Sequence, residues 1–157
     1  FVHPVEGIGG AMMRQYYLWN LYGNPSETGL TAASLILSGT LERFPSLKIC
    51  LAHGGGTLPY IIGRLDRGFQ MRPEAKAKIA RPPSTYLRQF YFDTITHSAE
   101  ALRYLIQLVG AEQVLLGSDY PFDMGDERPR DRVDALDLPA AQANAILGEN
   151  AARLLRI

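Results

Sequence analysis

Leu115-Leu116-Gly117-Ser118-Asp119-Tyr120-Pro121 sets a carboxylate directly after a short apolar run, with small residues ahead of it and a proline beyond. Strand-forming residues that stop at a polar side chain mark the C-terminal end of a buried strand. An α/β barrel places its catalytic and metal-binding groups at that point, facing the mouth. Two upstream segments repeat the arrangement. His3 follows Phe1-Val2, and His53 follows Ile49-Cys50-Leu51-Ala52. Three polar strand ends of ligand or acid–base type form a constellation that one alone would not.

Outward from these points the chain reads as β-α-β-α-β-α-β-α. Phe1 to His3 is expected to end a strand, and Glu6 to Ser26 to be irregular, with Tyr16, Tyr17, Trp19 and Tyr22 lining a pocket or capping the fold. Ser26 is expected to cap a helix whose Leu30, Ala33, Leu37 and Leu41 recur at helical spacing up to Phe44-Pro45. Leu47 to Ala52 is a second strand and Gly54-Gly55-Gly56 a tight loop. Leu58, Ile61, Ile62 and Leu65 then form the stripe of an amphipathic helix. Arg72 to Ser84 reads as an extended connection and Tyr91 to Ile95 as a strand. Ser98 to Val109 reads as a helix stopped by Gly110. Val114 to Gly117 is the fourth strand; a mixed-charge loop, Asp123 to Asp137, precedes two short helices. Apolar strands alternating with helices predict a parallel sheet. Four βα units in 157 residues fill roughly 40 residues each, whereas a complete (β/α)8 barrel takes about 250. The expected fold is therefore α/β, a TIM-barrel family architecture with residues 1–157 as its C-terminal half. A flavodoxin-like sheet is the alternative, but its phosphate loop should follow the first strand, and the glycine cluster here follows the second.

Composition narrows the function. Apolar residues make up 46% of the chain, as in a globular domain. Sixteen basic residues balance sixteen acidic ones, which excludes the strong field that would draw nucleic acid or an anionic membrane. No apolar run approaches the roughly 20 residues of a membrane span, and no leader is read at the start, so a cytoplasmic location is expected. Cys50, the single cysteine, is expected to be a small core residue in a reducing compartment.

Among the candidate residues, His3 precedes Pro4, which holds its backbone extended. Neutral imidazole suits zinc and related divalent ions, although a terminal histidine without a role fits equally. His53 stands before three glycines that leave it unshielded, and its ordinary pKa suits general acid–base work. The glycine run opens onto a helix N-terminus, which favours an anionic group. Asp119 is either a metal ligand or base, or the cap of the next turn. Asp93 and His97 flank the third strand and read as structural. Arg64 and Arg67 lie off the apolar stripe of their helix; they serve a solvated face or grip a substrate carboxylate.

Ala52-His53-Gly54-Gly55-Gly56, Leu116-Gly117-Ser118-Asp119-Tyr120-Pro121 and Gly23-Asn24-Pro25-Ser26-Glu27-Thr28 together resemble the amidohydrolase-related decarboxylases. Gly63-Arg64-Leu65 and Gly68-Phe69-Gln70-Met71-Arg72-Pro73 extend the resemblance along nearly the whole chain. It implies a (β/α)8 barrel with one divalent metal, usually zinc, and non-oxidative decarboxylation of a small carboxylate, carboxymuconate-semialdehyde-like or aromatic. By the same resemblance His3 and Asp119 are metal ligands and His53 is the acid–base residue. Arg64 matches an arginine that reaches the substrate carboxylate of a neighbouring subunit, and a homodimer is the usual assembly. The family's His-x-His pair has no counterpart, because the only histidines are His3, His53 and His97. The chain is then a C-terminal piece of a longer protein, half of a two-chain site, or a non-catalytic truncation. A hydrolase or hydratase of the same superfamily remains the alternative reaction.

Overall fold

The computed structural model describes residues 1–5 and 8–157. Of the stretch expected to be irregular, Glu6 and Gly7 lie outside the described residues. The remainder is more regular than expected: a 3-10 turn at Gly10–Met13, then a π turn at Trp19–Gly23 that runs directly into helix α1, Asn24–Leu37. Ser26 therefore sits inside α1, buried, and does not cap it. Pro25 explains the earlier start. A proline in the first turn gives up an N–H that has no helical partner there and brings a φ already suited to the helix. Gly39, at φ 74°, separates α1 from α2, Thr40–Arg43, so the single expected helix is two.

Strand β1, Ile49–Leu51, leads through the glycine turn to α3, Leu58–Met71. A short helix α4, Pro73–Lys76, interrupts the connection expected to be extended. Strand β2, Phe90–Asp93, is followed by α5, Ala99–Val109. The Ser98 side chain accepts from the Ala101 N–H at 3.2 Å, and Gly110 ends the helix at φ 94°, both as the sequence signals. Strand β3 is only Val114–Leu115, and Leu116 turns away to donate to the Ile146 carbonyl. Helix α6, Pro129–Asp134, lies within the expected mixed-charge loop; α7, Ala140–Asn144, and α8, Asn150–Leu155, follow, joined by a π turn.

The sheet is parallel, in the order β1-β2-β3, with Leu51 opposite Phe92 and Phe92 opposite Val114. The first expected strand is reduced to one parallel bridge, Val2 to Leu51. Alternation gives the sheet two unlike faces. Ile49, Leu51, Phe90, Phe92 and Val114 are buried against the apolar sides of α1, α3 and α5 in one core. Cys50, Tyr91 and Leu115 point the other way and are only half-buried. Contrary to the sequence expectation, Cys50 is not in the closed core but beside an open cleft that Phe1 and Leu155 also line. Every strand ends at the same edge, and the polar residues that follow them gather there.

Candidate metal centre

His3, His53 and Asp119 come from three separate strand ends and converge. His3 Nε2 lies 3.3 Å from Asp119 Oδ1, and His53 Nε2 lies 3.9 Å from Asp119 Oδ2. One ligand atom from each can be chosen so that all lie within 4.8 Å of one another. The three side chains are largely sheltered, the most open being His3 at 27% exposure.

The hydrogen bonds around His3 decide what the gap wants. His3 Nδ1 lies 2.7 Å from the Pro4 carbonyl, an acceptor, so Nδ1 carries the proton and Nε2 the lone pair. That lone pair faces a carboxylate oxygen. Two acceptors so placed need a cation between them, either a proton on Nε2 or a metal ion. Two imidazoles and a carboxylate are the donor types that hold zinc and other first-row divalent ions. The Phe122 ring stacks on His3 at 5.5 Å and limits how the imidazole can swing.

His53 is set by its backbone. Asp93, 7% exposed, accepts from three N–H groups: His53 at 3.1 Å, Gly54 at 2.8 Å and Ile95 at 3.1 Å. Burial pushes the Asp93 carboxyl up to about 6 even though those donors pull it down. The bonds hold the turn in which His53 stands at φ 56°, a left-handed conformation that side chains rarely adopt. Asp119 and His97 share that feature, at φ 56° and 54°. Non-glycine residues strained in this way cluster at active sites. Burial also holds the His53 imidazole below its ordinary value; Asp119 opposes this, while His3 and His97 add to it. A neutral imidazole is the form that accepts a proton. Its Nδ1 is buried without a partner among the described residues.

Gly56 lets this turn sit against α1: a Cβ there would lie 1.9 Å from the Pro25 oxygen. Above the three side chains opens a cavity of about 830 Å³ with Trp19, Asn24, His97, Tyr104 and Phe122 in its walls. Tyr17 closes one side, its hydroxyl donating to the Asp123 carboxylate at 3.1 and 3.2 Å. The cavity thus takes Tyr17 and Trp19 from the aromatic segment, while Tyr16 and Tyr22 point to solvent at 82% and 60% exposure. Arg64 is not brought to the centre; it stands exposed on α3 and is absent from the cavity wall. The half-buried Cys50 thiol is pushed up to about 12, first by burial and then by Asp93, which disfavours the thiolate form.

The sequence matches the Amidohydrolase family over residues 2–157. The chain belongs to the amidohydrolase family. It is 40% identical over 158 residues to the 2-amino-3-carboxymuconate-6-semialdehyde decarboxylase of Dictyostelium discoideum, covering 99% of this chain and 44% of that protein. The Caenorhabditis elegans protein of the same name is 36% identical over 162 residues, covering 100% of this chain and 40% of that one. Among solved structures, 5-carboxyvanillate decarboxylase LigW from Sphingomonas paucimobilis superposes with a TM-score of 0.86 at 32% identity, over 99% of this chain and 48% of that one. A dihydroxybenzoic acid decarboxylase from Polaromonas, solved with bound manganese and the inhibitor 2-nitroresorcinol, superposes with a TM-score of 0.83 at 26% identity, over 99% and 48%. This amidohydrolase chain therefore spans under half the length of these relatives.

Sequence reasoning named the three converging residues and undervalued their supports. Asp93 had a signal, a charge inside an apolar strand. Asn24 stood only inside a quoted motif, and Tyr104 and Phe122 had no signal, because only the fold brings their segments over the centre.

Proposed function

We propose that this chain is the C-terminal half of a (β/α)8 barrel, residues 1–157 forming one domain, and that the complete protein is a metal-dependent, non-oxidative decarboxylase. The convergence of His3, Asp119 and His53 at one cavity mouth carries the reading. The half-covered sheet face bearing Cys50, Tyr91 and Leu115 supports the half-barrel, because parallel sheets bury both faces. In this reading His3 and Asp119 are two of the metal's ligands, and the other half of the barrel supplies the remainder. A catalytic zinc takes three or more protein ligands, and His3 and Asp119 provide two.

The ion is divalent, with Zn2+ proposed first, and when bound it supplies Lewis acidity toward the substrate's oxygens. The substrate is a small carboxylate, aromatic or carboxymuconate-semialdehyde-like, and its flat body lies against Trp19 and Tyr104. His53, neutral at rest, takes up a proton from water in the cavity and passes it to the carbon that bears the carboxylate. The C–C bond then breaks, its electron pair returns to the ring or chain, and carbon dioxide leaves. Asp93 keeps His53 aimed at that carbon through the His53 N–H. Arg64 serves a second copy: Tyr60, Arg64 and Arg67 recur on the exposed side of α3, where a homodimer would carry the guanidinium to the partner's substrate. A cytoplasmic location accords with this chemistry; among the described residues no helix is long and apolar enough to cross a membrane.

The test is carbon dioxide release by the full-length protein from aromatic and carboxymuconate-type acids, with and without His53→Ala. Metal-dependent release that the substitution abolishes, with metal retained, is the expected result. Near-normal turnover by the variant would remove His53 from the chemistry. Hydrolysis of a lactone with no carbon dioxide from any acid would replace the reaction.

A further inference from the structure

We propose that Asn24 is a specificity-determining residue of the cavity. Its carboxamide hydrogen-bonds a polar substituent, a hydroxyl or amino group, on the substrate beside the reacting carboxylate. The inference rests on the decarboxylase reading above and adds to it the chemistry of the rest of the substrate.

Asn24 closes the π turn. Its backbone N–H donates to the Trp19 carbonyl, and its own carbonyl accepts from Thr28 Oγ1 at 3.2 Å. The next residue, Pro25, accepts from the Thr57 N–H at 3.2 Å, on the far side of the glycine turn that carries His53. The main chain at Asn24 is therefore fixed to its own helix and to the catalytic loop. Its side chain is not. The residue is 7% exposed, and its Oδ1 is buried with no partner among the described residues. It lines the same cavity as His53, Trp19 and Phe122.

An unpaired buried amide oxygen is a standing cost, and an apolar residue of the same size would pack here without it. Such a group in a cavity wall is explained by a ligand that completes it. π turns interrupt helices chiefly at functional sites. This one turns Trp19, Asn20 and Asn24 onto one cavity. Rotation of the amide presents either an acceptor or a donor, so hydroxyl and amino substituents both qualify. The rigid backbone fixes where on the ring that substituent must stand.

One other use of the amide competes. His53 Nδ1 is also buried and unpartnered in this wall, and an Asn24 that served it would position His53 and leave the substrate alone. Affinity ratios separate the two. The probes are benzoate and the three benzoates carrying one hydroxyl at ring position 2, 3 or 4. Their binding to the metal-loaded full-length protein is measured by calorimetry for wild type, Asn24→Leu and Asn24→Ala, and folding is checked by thermal melting. Wild type should prefer at least one hydroxylated ring. That preference should fall on the order of 10- to 100-fold in both variants while benzoate affinity holds. Carbon dioxide release is recorded separately, so binding without release refutes the reaction and leaves the ratio readable. A preference that survives substitution, a uniform loss across all four acids, or no wild-type preference overturns the inference.

Discussion

Removing the Asp93 carboxylate should unseat His53 before it unfolds the protein, and two substitutions separate the effects. Asp93→Ala leaves three buried N–H groups without an acceptor, those of His53, Gly54 and Ile95. Each orphaned donor costs about 1–3 kcal/mol. The variant also escapes the burial of a carboxylate that its surroundings push up to about 6, which offsets part of the loss. A net destabilisation of roughly 3–5 kcal/mol is expected, three orphaned donors less the offset. Asp93→Asn is more discriminating. Gly54 and Ile95 both donate to Oδ1, and an amide oxygen can keep those two bonds. His53 donates to Oδ2, which becomes an NH2 group facing another donor. The Asn variant should lose about 1–2 kcal/mol of stability and fall on the order of 10-fold in turnover, with metal retained.

The pH dependence of this variant carries its own sign. Between the ordinary value of 3.8 and about 6, folded Asp93 holds a proton that the unfolded chain has released. Its contribution to wild-type stability is therefore largest at the acid end of that window and falls as pH rises through it. The deficit of Asp93→Asn should shrink over the same interval. Urea unfolding across pH, with turnover and metal content on the same samples, gives all three quantities. An Asn variant with unchanged turnover, or with a deficit that grows with pH, would refute the reasoning.

Three further outcomes are expected. Gly56→Ala should destabilise the protein by more than about 2 kcal/mol by thermal or urea melting, because its Cβ would strike the Pro25 oxygen at 1.9 Å and its φ is 60°. Asn150→Ala should cost about 2–3 kcal/mol by the same assay, since the buried amide donates to the Ala111 and Val114 carbonyls at 2.8 Å each. Cys50, with its thiol pushed up to about 12, should resist iodoacetamide at pH 8 in the folded protein and react promptly in urea.

Much of this was legible from residue order. Apolar runs ending at His3, His53 and Asp119 announced strand ends, and strand ends of a parallel sheet share one edge, so the three were bound to meet if the fold was right. Ser98 and Gly110 marked both ends of α5 because capping is local chemistry. What failed was where longer-range packing overrides a local signal. Ser26 carries the hydroxyl of a cap, yet Pro25 and the preceding π turn start the helix earlier. Val114 to Gly117 reads as four strand residues, but Leu116 pairs with the Ile146 carbonyl, and the strand stops at two. The charge of Asp93 was visible in its strand, but its reach to the His53 turn was not, because the His53 and Gly54 donors lie 40 and 39 residues away in sequence and only Ile95 is local. Asn24 was quoted only as part of a motif, and nothing in its neighbours reveals that its amide oxygen is buried without a partner.

The most direct measurement is anomalous scattering from crystals of the full-length, metal-loaded protein. The account predicts a single ion within about 2.0–2.2 Å of both His3 Nε2 and an Asp119 oxygen, with the His53 ring beside it. An ion bound elsewhere, or stoichiometric metal retained at the same place after His3→Ala with Asp119→Ala, would contradict it.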